Sequence, residues 1–391
     1  LAEPHARLDA LRSQTAIAWD EAQKQHMIVR YGAARRVLQD PALLRERAAA
    51  NAQSAVARTF DAVPDFVPER KHGAAVLIFK DGEEHKRLRK LIGETFLARV
   101  KQARPEVERI VGEVAGALAP AGQSFDLVQD YAIPVPVRVI ASLLGLPDCD
   151  HAQVRGWSED LALGFNPFRT EEEDAKRWRA VRAMLDYFVG RLELAKRAPG
   201  ANLISDWAAL QQRGAALSDK EIVDHSIMML TAGNLSTTDL IANAAVRVLR
   251  DRSARSALAI GAEGLVAIIE ETLRLDPPVT TTDRIAPATL DVEGCPIARG
   301  DVMTVSLLAA NHDPDTYPAP HCFDAQRPAR QHLAFGAGAH ICLGAPLARL
   351  EAQIALQALF TRFPDLDLLD ADVRLRAVPG HLGPERLMVR G

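Results

Sequence analysis

A short glycine-rich segment that leads into an apolar helix constrains this chain more than any other part of it. From 335 to 351 the sequence reads Phe-Gly-Ala-Gly-Ala-His-Ile-Cys-Leu-Gly-Ala-Pro-Leu-Ala-Arg-Leu-Glu. Its glycines allow tight turns and a close approach to a flat partner, and the amides at the helix start stabilise negative charge. These conditions favour a thiolate at Cys342, which suits one axial position on an iron held by a macrocycle.

Three other interpretations of this segment agree less well with the sequence. A buried core cysteine needs neither these glycines nor the histidine at position 340. A dinucleotide-binding fingerprint needs a glycine at position 341, where isoleucine stands. A zinc site needs shorter and more regular spacings than the gaps of ten, eight and two residues between the four candidates, Cys322, His332, His340 and Cys342.

The segment matches the haem-ligand signature of the cytochrome P-450 superfamily, Phe-x-x-Gly-x-(Arg or His)-x-Cys-x-Gly, at every specified position. The chain therefore resembles that superfamily. The resemblance implies that Cys342 is the thiolate ligand of haem b, iron protoporphyrin IX, and that Phe335 shields the sulfur. Electron donation by such a thiolate favours cleavage of an O–O bond.

Other segments follow in the order that the resemblance requires. Glu271 and Arg274 lie one helical turn apart in an apolar run and, with Arg327, resemble the family's buried Glu-Arg-Arg network, which holds the cysteine loop. Haem has two propionates, which need cationic or hydrogen-bonding partners. The resemblance assigns this role to five residues, His85, Arg89, Arg284, His332 and His340.

The length and the hydrophobic pattern predict one large, mainly α-helical unit. No linker or repeat divides the 391 residues, so we expect residues 1–391 to form a single cytochrome P-450 domain. Aliphatic residues recur at helical spacing through 107–118 and 222–249, and β-rich pieces lie at 26–30 and 302–307. The predicted fold is a large helical bundle with a small β-rich subdomain.

Composition and charge predict where the protein is located and which partners it binds. The sequence has no apolar run of about eighteen residues and only four, widely spaced cysteines, so we expect a bacterial cytoplasmic protein without a membrane anchor. A net charge of -4 gives no indication of nucleic-acid binding. Residues 85–104 nevertheless hold seven Lys or Arg and one acid, Glu94. This is either a solvated helix face or, as the resemblance implies, the docking surface for a ferredoxin supplied by an NAD(P)H-dependent reductase.

The central helix departs from the family pattern, Ala-Gly-x-(Asp or Glu)-Thr. Here residues 232–236 read Ala-Gly-Asn-Leu-Ser, so Leu235 replaces the acid and Ser236 the threonine. Because a hydroxyl both donates and accepts hydrogen bonds, we expect Ser236 to hold a proton-delivering water, with Asn234 or Thr237 as helpers. Asp239 is a substitute acid only if the helix is distorted. Simple packing of these residues, with protons delivered by solvent alone, is the alternative.

Four functions remain compatible with the sequence. The first is a monooxygenase that inserts one oxygen atom from O2 into a small or medium apolar organic substrate. The others are a peroxide-driven peroxygenase, an enzyme similar to nitric oxide reductases, and a non-catalytic haem-binding sensor. Expected substrate contacts are residues 76–78, Phe165, Phe168, 228–229, 279–282 and 381–382, although core packing explains each of them equally well. Residues 70–72 are expected to form a solvated loop, with contact to a substrate carboxylate at the entrance as the alternative.

Overall fold

A computed structural model describes residues 4–57, 76–147, 150–165, 169–328, 331–369 and 372–391. Residues 70–72 and the expected substrate contact Phe168 lie outside these ranges. The described residues are mostly helical, which confirms the predicted fold class. None of the helices in these ranges is long and apolar enough to cross a membrane.

The helices follow one another along most of the chain. In the described ranges they are α1 Pro4–Gln14, α2 Tyr31–Gln39, α3 Gly82–Gln102, α4 Arg104–Gly116, α5 Pro134–Leu144, α6 His151–Ala162, α7 Glu171–Arg197, α8 Leu203–Gln212, α9 Asp219–Arg250, α10 Arg252–Leu258, α11 Ala262–Leu275, α12 Leu307–Asn311 and α13 Ala345–Arg362. The periodic runs at 107–118 and 222–249 correspond to α4 and α9.

Short strands form three small sheets. The strands are β1 Ile17–Asp20, β2 Gln25–Ile28, β3 Ser124–Asp126, β4 Thr281–Ile285, β5 Leu290–Val292, β6 Cys295–Ile297, β7 Val302–Ser306, β8 Asp367–Leu368 and β9 Met388–Arg390. The largest sheet has the order β1-β2-β7-β4, in which β2 and β7 are parallel and the other pairs antiparallel. The others have the orders β3-β9-β8 and β5-β6. The predicted strands at 26–30 and 302–307 are therefore confirmed as β2 and β7.

The long central helix α9 is built to start sharply and to be buried. Ser218 caps it by accepting from the amide of Glu221, and the Glu221 side chain accepts from the Ser218 amide in return. This capping box satisfies two amides that have no partner inside the helix. The helix then packs against α5, α7, α11 and α13. Because it has neighbours on several sides, its side chains have little freedom to change position.

Two hydrophobic clusters meet at the cysteine segment. The larger one joins the helices and the smaller one joins the main sheet to α2. Leu333 and Ala337 belong to the sheet cluster, whereas Ala334 and Leu347 belong to the helical one. The segment before Cys342 is therefore fixed from both sides, which positions whatever the cysteine holds.

Candidate functional site

The loop before Cys342 adopts a conformation that favours glycine at two positions. Gly336 and Gly338 have φ angles of +69° and +73°. A Cβ at Gly338 would lie 2.4 Å from the carbonyl oxygen of Leu38, so the loop runs directly against the end of α2. The amide of Cys342 donates to the carbonyl of Phe335 at 2.9 Å and closes the loop. The cysteine is thus held by backbone geometry.

Cys342 is exposed although protein surrounds it. The residue is accessible to solvent, yet burial among surrounding protein atoms raises the pKa of its thiol. The two observations together indicate that the accessible surface of Cys342 faces a recess in the protein. Hydrogen bonds from the amides of Gly344 and Ala345, at the start of α13, oppose the burial and favour the thiolate. Arg89 and Arg349 add positive charge nearby.

Two of the predicted propionate partners, His85 and His340, lie against each other with their rings tilted by 40°. Their ring centroids lie 4.2 Å apart. Burial, then the neighbouring His340 and Arg89, lowers the pKa of His85 to about 4, and burial also lowers that of His340. Nε2 of His85 and Nδ1 of His340 are buried without a partner among the described residues. Since buried polar atoms are nearly always hydrogen-bonded, these two nitrogens indicate a missing polar group.

The two predicted arginines lack carboxylate partners among the described residues. Arg284 is buried and donates to the backbone carbonyls of Asp283 (2.9 Å) and Leu38 (3.2 Å). Burial lowers its pKa to about 10. Arg89 is half-buried, and burial lowers its pKa as well. Within the described ranges neither guanidinium is paired with a carboxylate. Buried guanidiniums are ordinarily paired, so this pocket suits an anionic ligand.

Sequence reasoning missed two residues that organise this cluster. Asp81, just before α3, accepts from the amides of Arg45 and Glu46 and lies 3.4 Å from Nε2 of His340. The Arg45 guanidinium donates to the hydroxyl of Thr282 and the carbonyl of Asp283 beside Arg284. Isolated Arg and Asp residues carry no motif, so the sequence offered no signal for them beyond the helix start at Asp81.

His332, which was expected to contact a propionate, makes other hydrogen bonds in this structure. Its Nε2 lies 3.2 Å from Glu270, and its Nδ1 accepts from the Ala334 amide. Burial alone would raise the pKa of the Glu270 carboxyl. Hydrogen bonds from Arg349 and His332 outweigh this effect and lower the pKa to about 2. Both ring nitrogens of His332 are therefore engaged with protein groups. Phe335 lies beside this cluster, with its ring 4.6 Å from the Arg349 guanidinium.

The predicted Glu-Arg-Arg network is confirmed. Arg274 donates two bonds to Glu271, at 2.7 and 2.8 Å, and Arg327 a third at 3.0 Å. Arg274 also donates to the carbonyls of Asn311 and Pro320. Buried and bidentate, the network ties α11 to the chain segment that leads to the cysteine loop.

The residues of α9 that were predicted to deliver protons differ in their surroundings. Ser236 is half-exposed and donates to the carbonyl of Ala232 at 2.9 Å, which leaves its oxygen able to accept. Asn234 is buried and donates to Ser158 at 2.9 Å, while its Oδ1 has no partner in the described ranges. Thr237 is buried. Ala232 is exposed in the middle of this otherwise buried helix, so α9 borders an open space there.

Asp239 does not replace the acid lost at position 235. It is buried and faces the C-terminal region, 3.3 Å from Arg376 and 3.8 Å from Nδ1 of His381. A second open space lies on the Asn234 side of α9. This cavity of about 390 Å³ is bordered by Asn234 and Leu235 and has charged walls formed by Arg155, Glu159, Glu173, Arg376 and Glu385.

These features fit haem. The recess supplies one sulfur with amide donors, as a thiolate ligand requires, and the sequence has no second cysteine within four residues of it. It also supplies buried nitrogens and guanidiniums that lack anionic partners, as a group with two carboxylates requires. Both kinds of donor surround one cleft, since Cys342 and Arg89 interact electrostatically.

Comparison with known proteins agrees with a haem site of this kind. Residues 263–370 match the family model for cytochrome P450. The chain is 33% identical to the cytochrome P450 monooxygenase PikC of Streptomyces venezuelae over 93% of this chain and 84% of that one. It is 35% identical to the cyclomarin C epoxidase CymV of Salinispora arenicola, over 81% and 80% of the two chains.

Solved structures give the same result. The econazole-bound crystal structure of CYP164A2 from Mycobacterium smegmatis superimposes with a TM-score of 0.90 at 32% identity, covering 100% of this chain and 96% of that one. The chain belongs to the cytochrome P450 family. It is accordingly a haem-thiolate oxidoreductase of the monooxygenase class.

Proposed function

We propose that the protein holds haem b through Cys342 and inserts one oxygen atom from O2 into a small or medium apolar organic substrate, with electrons from a ferredoxin. The observation that carries this proposal is Cys342 itself, which is exposed although protein surrounds it and whose sulfur accepts from the amides of Gly344 and Ala345. Haem, when bound, supplies the activation of O2. The protein itself holds the haem, delivers protons, binds the substrate and docks the electron donor.

Four residues are proposed to hold the haem carboxylates, namely His85, Arg89, Arg284 and His340. The guanidiniums supply charge, and the buried ring nitrogens supply hydrogen bonds. His332 is left out because both its nitrogens are used. The sequence has no Cys-x-x-Cys-His attachment motif, which favours non-covalent haem b. Extraction of the haem into acidified organic solvent, without residual haem on the chain, tests this form.

Protons are proposed to reach the recess through water. Ser236 can accept a hydrogen bond because its own proton is given to Ala232. Asn234 borders the charged cavity on the other side of the same helix and has an unpartnered Oδ1 with which to hold water. Leu235 transfers no proton itself, so delivery depends on these neutral groups. Thr237 is a helper in the same proposal.

The substrate class is proposed from the pocket segments and the relatives. Residues 228–229 on α9 and 279–282 before and within β4 combine Met, Val and Thr side chains that are buried or half-buried. They suit an apolar molecule with few polar contacts. The relatives include a protein named as an epoxidase of cyclomarin C, which is consistent with oxidation of an organic compound.

The electron donor is proposed to dock on α3. A Cβ at Gly93 would lie 3.3 Å from the Leu343 side chain, so α3 packs directly beside the cysteine loop. Most cations of 85–104 have acidic partners, but Lys90 and Lys101 are exposed and show none within the described residues. Unpaired lysines beside the haem ligand suit an acidic ferredoxin.

A peroxide-driven reaction is the second candidate. It is favoured by Leu235, which cannot transfer protons. Hydrogen peroxide arrives with its own protons, so a reaction driven by it depends less on proton transfer by the protein. The two are separated by one experiment. Compounds that shift the haem spectrum are incubated with ¹⁸O2, NADPH, ferredoxin and reductase, or with hydrogen peroxide alone. The proposal expects ¹⁸O in the product and product formation that depends on ferredoxin. Product from peroxide alone, with none from the complete system, contradicts it.

A further inference from the structure

Three histidines from separate parts of the chain meet away from the haem recess. His5 lies on α1, His312 directly follows α12, and His321 lies in the loop beyond it. The ring centroids are 4.7 Å apart for His5 and His312, 5.0 Å for His312 and His321, and 5.8 Å for His5 and His321. One potential ligand nitrogen of each lies within 4.8 Å of the other two.

The middle residue, His312, is oriented as a metal ligand would be. It is only 2% exposed. Its Nδ1 lies 2.9 Å from the Leu308 carbonyl and so carries the proton that it donates there. Nε2 is then a buried acceptor, and it has no partner among the described residues. A histidine that ligates a metal almost always donates its other nitrogen to a carbonyl or carboxylate in this way.

We propose that His5, His312 and His321 bind one zinc ion, each through one ring nitrogen, with water or a carboxylate in the fourth position. Zinc is preferred because it accepts three imidazoles in a tetrahedral set. Asp9 is the nearby carboxylate, with Oδ2 2.8 Å from Nε2 of His321. It either orients that ring or completes the set.

The rings need a small closing movement. Zinc–nitrogen bonds of about 2.0–2.1 Å at tetrahedral angles place ligand nitrogens about 3.3–3.4 Å apart. His5 is half-buried and His321 exposed, so these two can turn toward His312.

The site joins α1 to a region that supports the haem ligand. His312 and His321 each follow a residue whose carbonyl accepts from Arg274, namely Asn311 and Pro320. Arg274 in turn belongs to the Glu-Arg-Arg network. A zinc ion would therefore fasten the N-terminal helix to the segment that this network holds. The proposal does not depend on the reaction at the haem.

The test is a zinc titration of the untagged, haem-loaded protein after removal of bound metals by a chelator. Calorimetry gives affinity and stoichiometry, and atomic absorption after dialysis gives retained zinc. The expected result is one zinc per chain and a higher melting temperature with zinc. His5→Ala and His321→Ala alter accessible positions and should each weaken binding at least about tenfold.

His151→Ala, on α6, is the matched control and should bind zinc as the parent does. The haem absorbance of each sample shows whether the variant is folded around its cofactor, which keeps the result separate from the haem proposal. An absence of saturable binding by the parent overturns the proposal. So does equal binding by His5→Ala, His321→Ala and the parent.

Discussion

At the scale of single residues, the recess beside Cys342 is marked by positive groups that lack acidic partners. Arg89 and Arg284 have no carboxylate among the described residues, and His85 and His340 keep unpartnered nitrogens. Without a ligand, burying these unpaired polar and charged groups costs free energy of desolvation. The cost is offset when a dianionic ligand binds.

The first prediction concerns Arg89. Arg89→Ala removes a charge-assisted partner of a haem carboxylate, which should weaken haem binding by roughly 1.5 to 3 kcal/mol. The measurement is the rate of haem transfer to an acceptor protein. Lys90→Ala, the exposed neighbour on the same helix, should release haem as slowly as the parent. Equal release from both variants would show that Arg89 does not contact haem.

A second prediction concerns Ser236. Ser236→Ala removes the hydroxyl that is proposed to hold water, so less product should form per NAD(P)H consumed while substrate binding is nearly unchanged. Ser226→Ala is the control, since Ser226 lies on the same helix and donates to the carbonyl one turn earlier in the same way. The two stoichiometries are compared with the physiological electron donor. Unchanged coupling in Ser236→Ala would exclude it from proton delivery.

The sequence predicted the residues that belong to motifs and missed those that depend on long-range packing. Cys342 and the Glu271–Arg274 pair were predictable because their neighbours define them. The contacts of His332 were not predicted, because a short distance along the chain does not determine which way a ring faces. Arg45 was missed because it reaches the cluster from a segment about forty residues before His85.

At the scale of elements, α13 follows the loop of Cys342 and also carries a buried ionisable group. It carries Glu351, which is fully buried and whose Oε2 has no partner in the described part of the chain. Burial raises its pKa to about 8. The carboxyl is thus protonated in the folded protein at neutral pH. The stability of the helix that follows Cys342 then depends on pH.

The third prediction follows from that carboxyl. Between its ordinary pKa near 4.5 and about 8, the unfolded chain holds fewer protons at this position than the folded one, so stability falls as pH rises. Glu351→Gln should remove this part of the pH dependence and stabilise the protein by on the order of a few kcal/mol at the upper end.

Denaturant midpoints of the haem-loaded protein at about pH 5 and about pH 8 measure this effect. Glu94→Gln, at an exposed position on α3, serves as the control and should behave as the parent. An identical pH response of Glu351→Gln and the parent would contradict the assignment.

The elements themselves were largely predictable. Strong periodicity identified α4, α9 and α11, and β-rich composition identified β2 and β7. The pairing of β2 with β7 was not predictable, because it joins strands about 275 residues apart. Strand pairing over such a distance depends on the whole fold and leaves no local pattern.

At the scale of the whole molecule, the two hydrophobic clusters hold the ligand loop between helices and sheet, and α3 lies beside it. The side of α3 that carries Lys90 is the proposed docking surface. Ile341, next to Cys342, is 38% exposed and adds an apolar contact near it. A charged rim around an apolar centre is typical of protein interfaces.

The fourth prediction tests this surface. Lys90→Glu should raise the KM for ferredoxin about two- to fivefold, with an effect that shrinks at high salt. Substrate affinity should not change. Arg179→Glu makes the same charge change at an exposed position on α7 and should leave the KM unaltered. Equal behaviour of the two variants would place docking elsewhere.

The central claim is that Cys342 is the haem thiolate, and one spectrum tests it most directly. The haem-loaded protein is reduced under carbon monoxide and its Soret band recorded, beside Cys342→Ser and the control Cys322→Ser, which changes an exposed cysteine. The parent and Cys322→Ser should show the band position of thiolate ligation, and Cys342→Ser should lose it even where haem is retained. A histidine-type spectrum in undamaged parent protein, or an unchanged spectrum in Cys342→Ser, would contradict the claim.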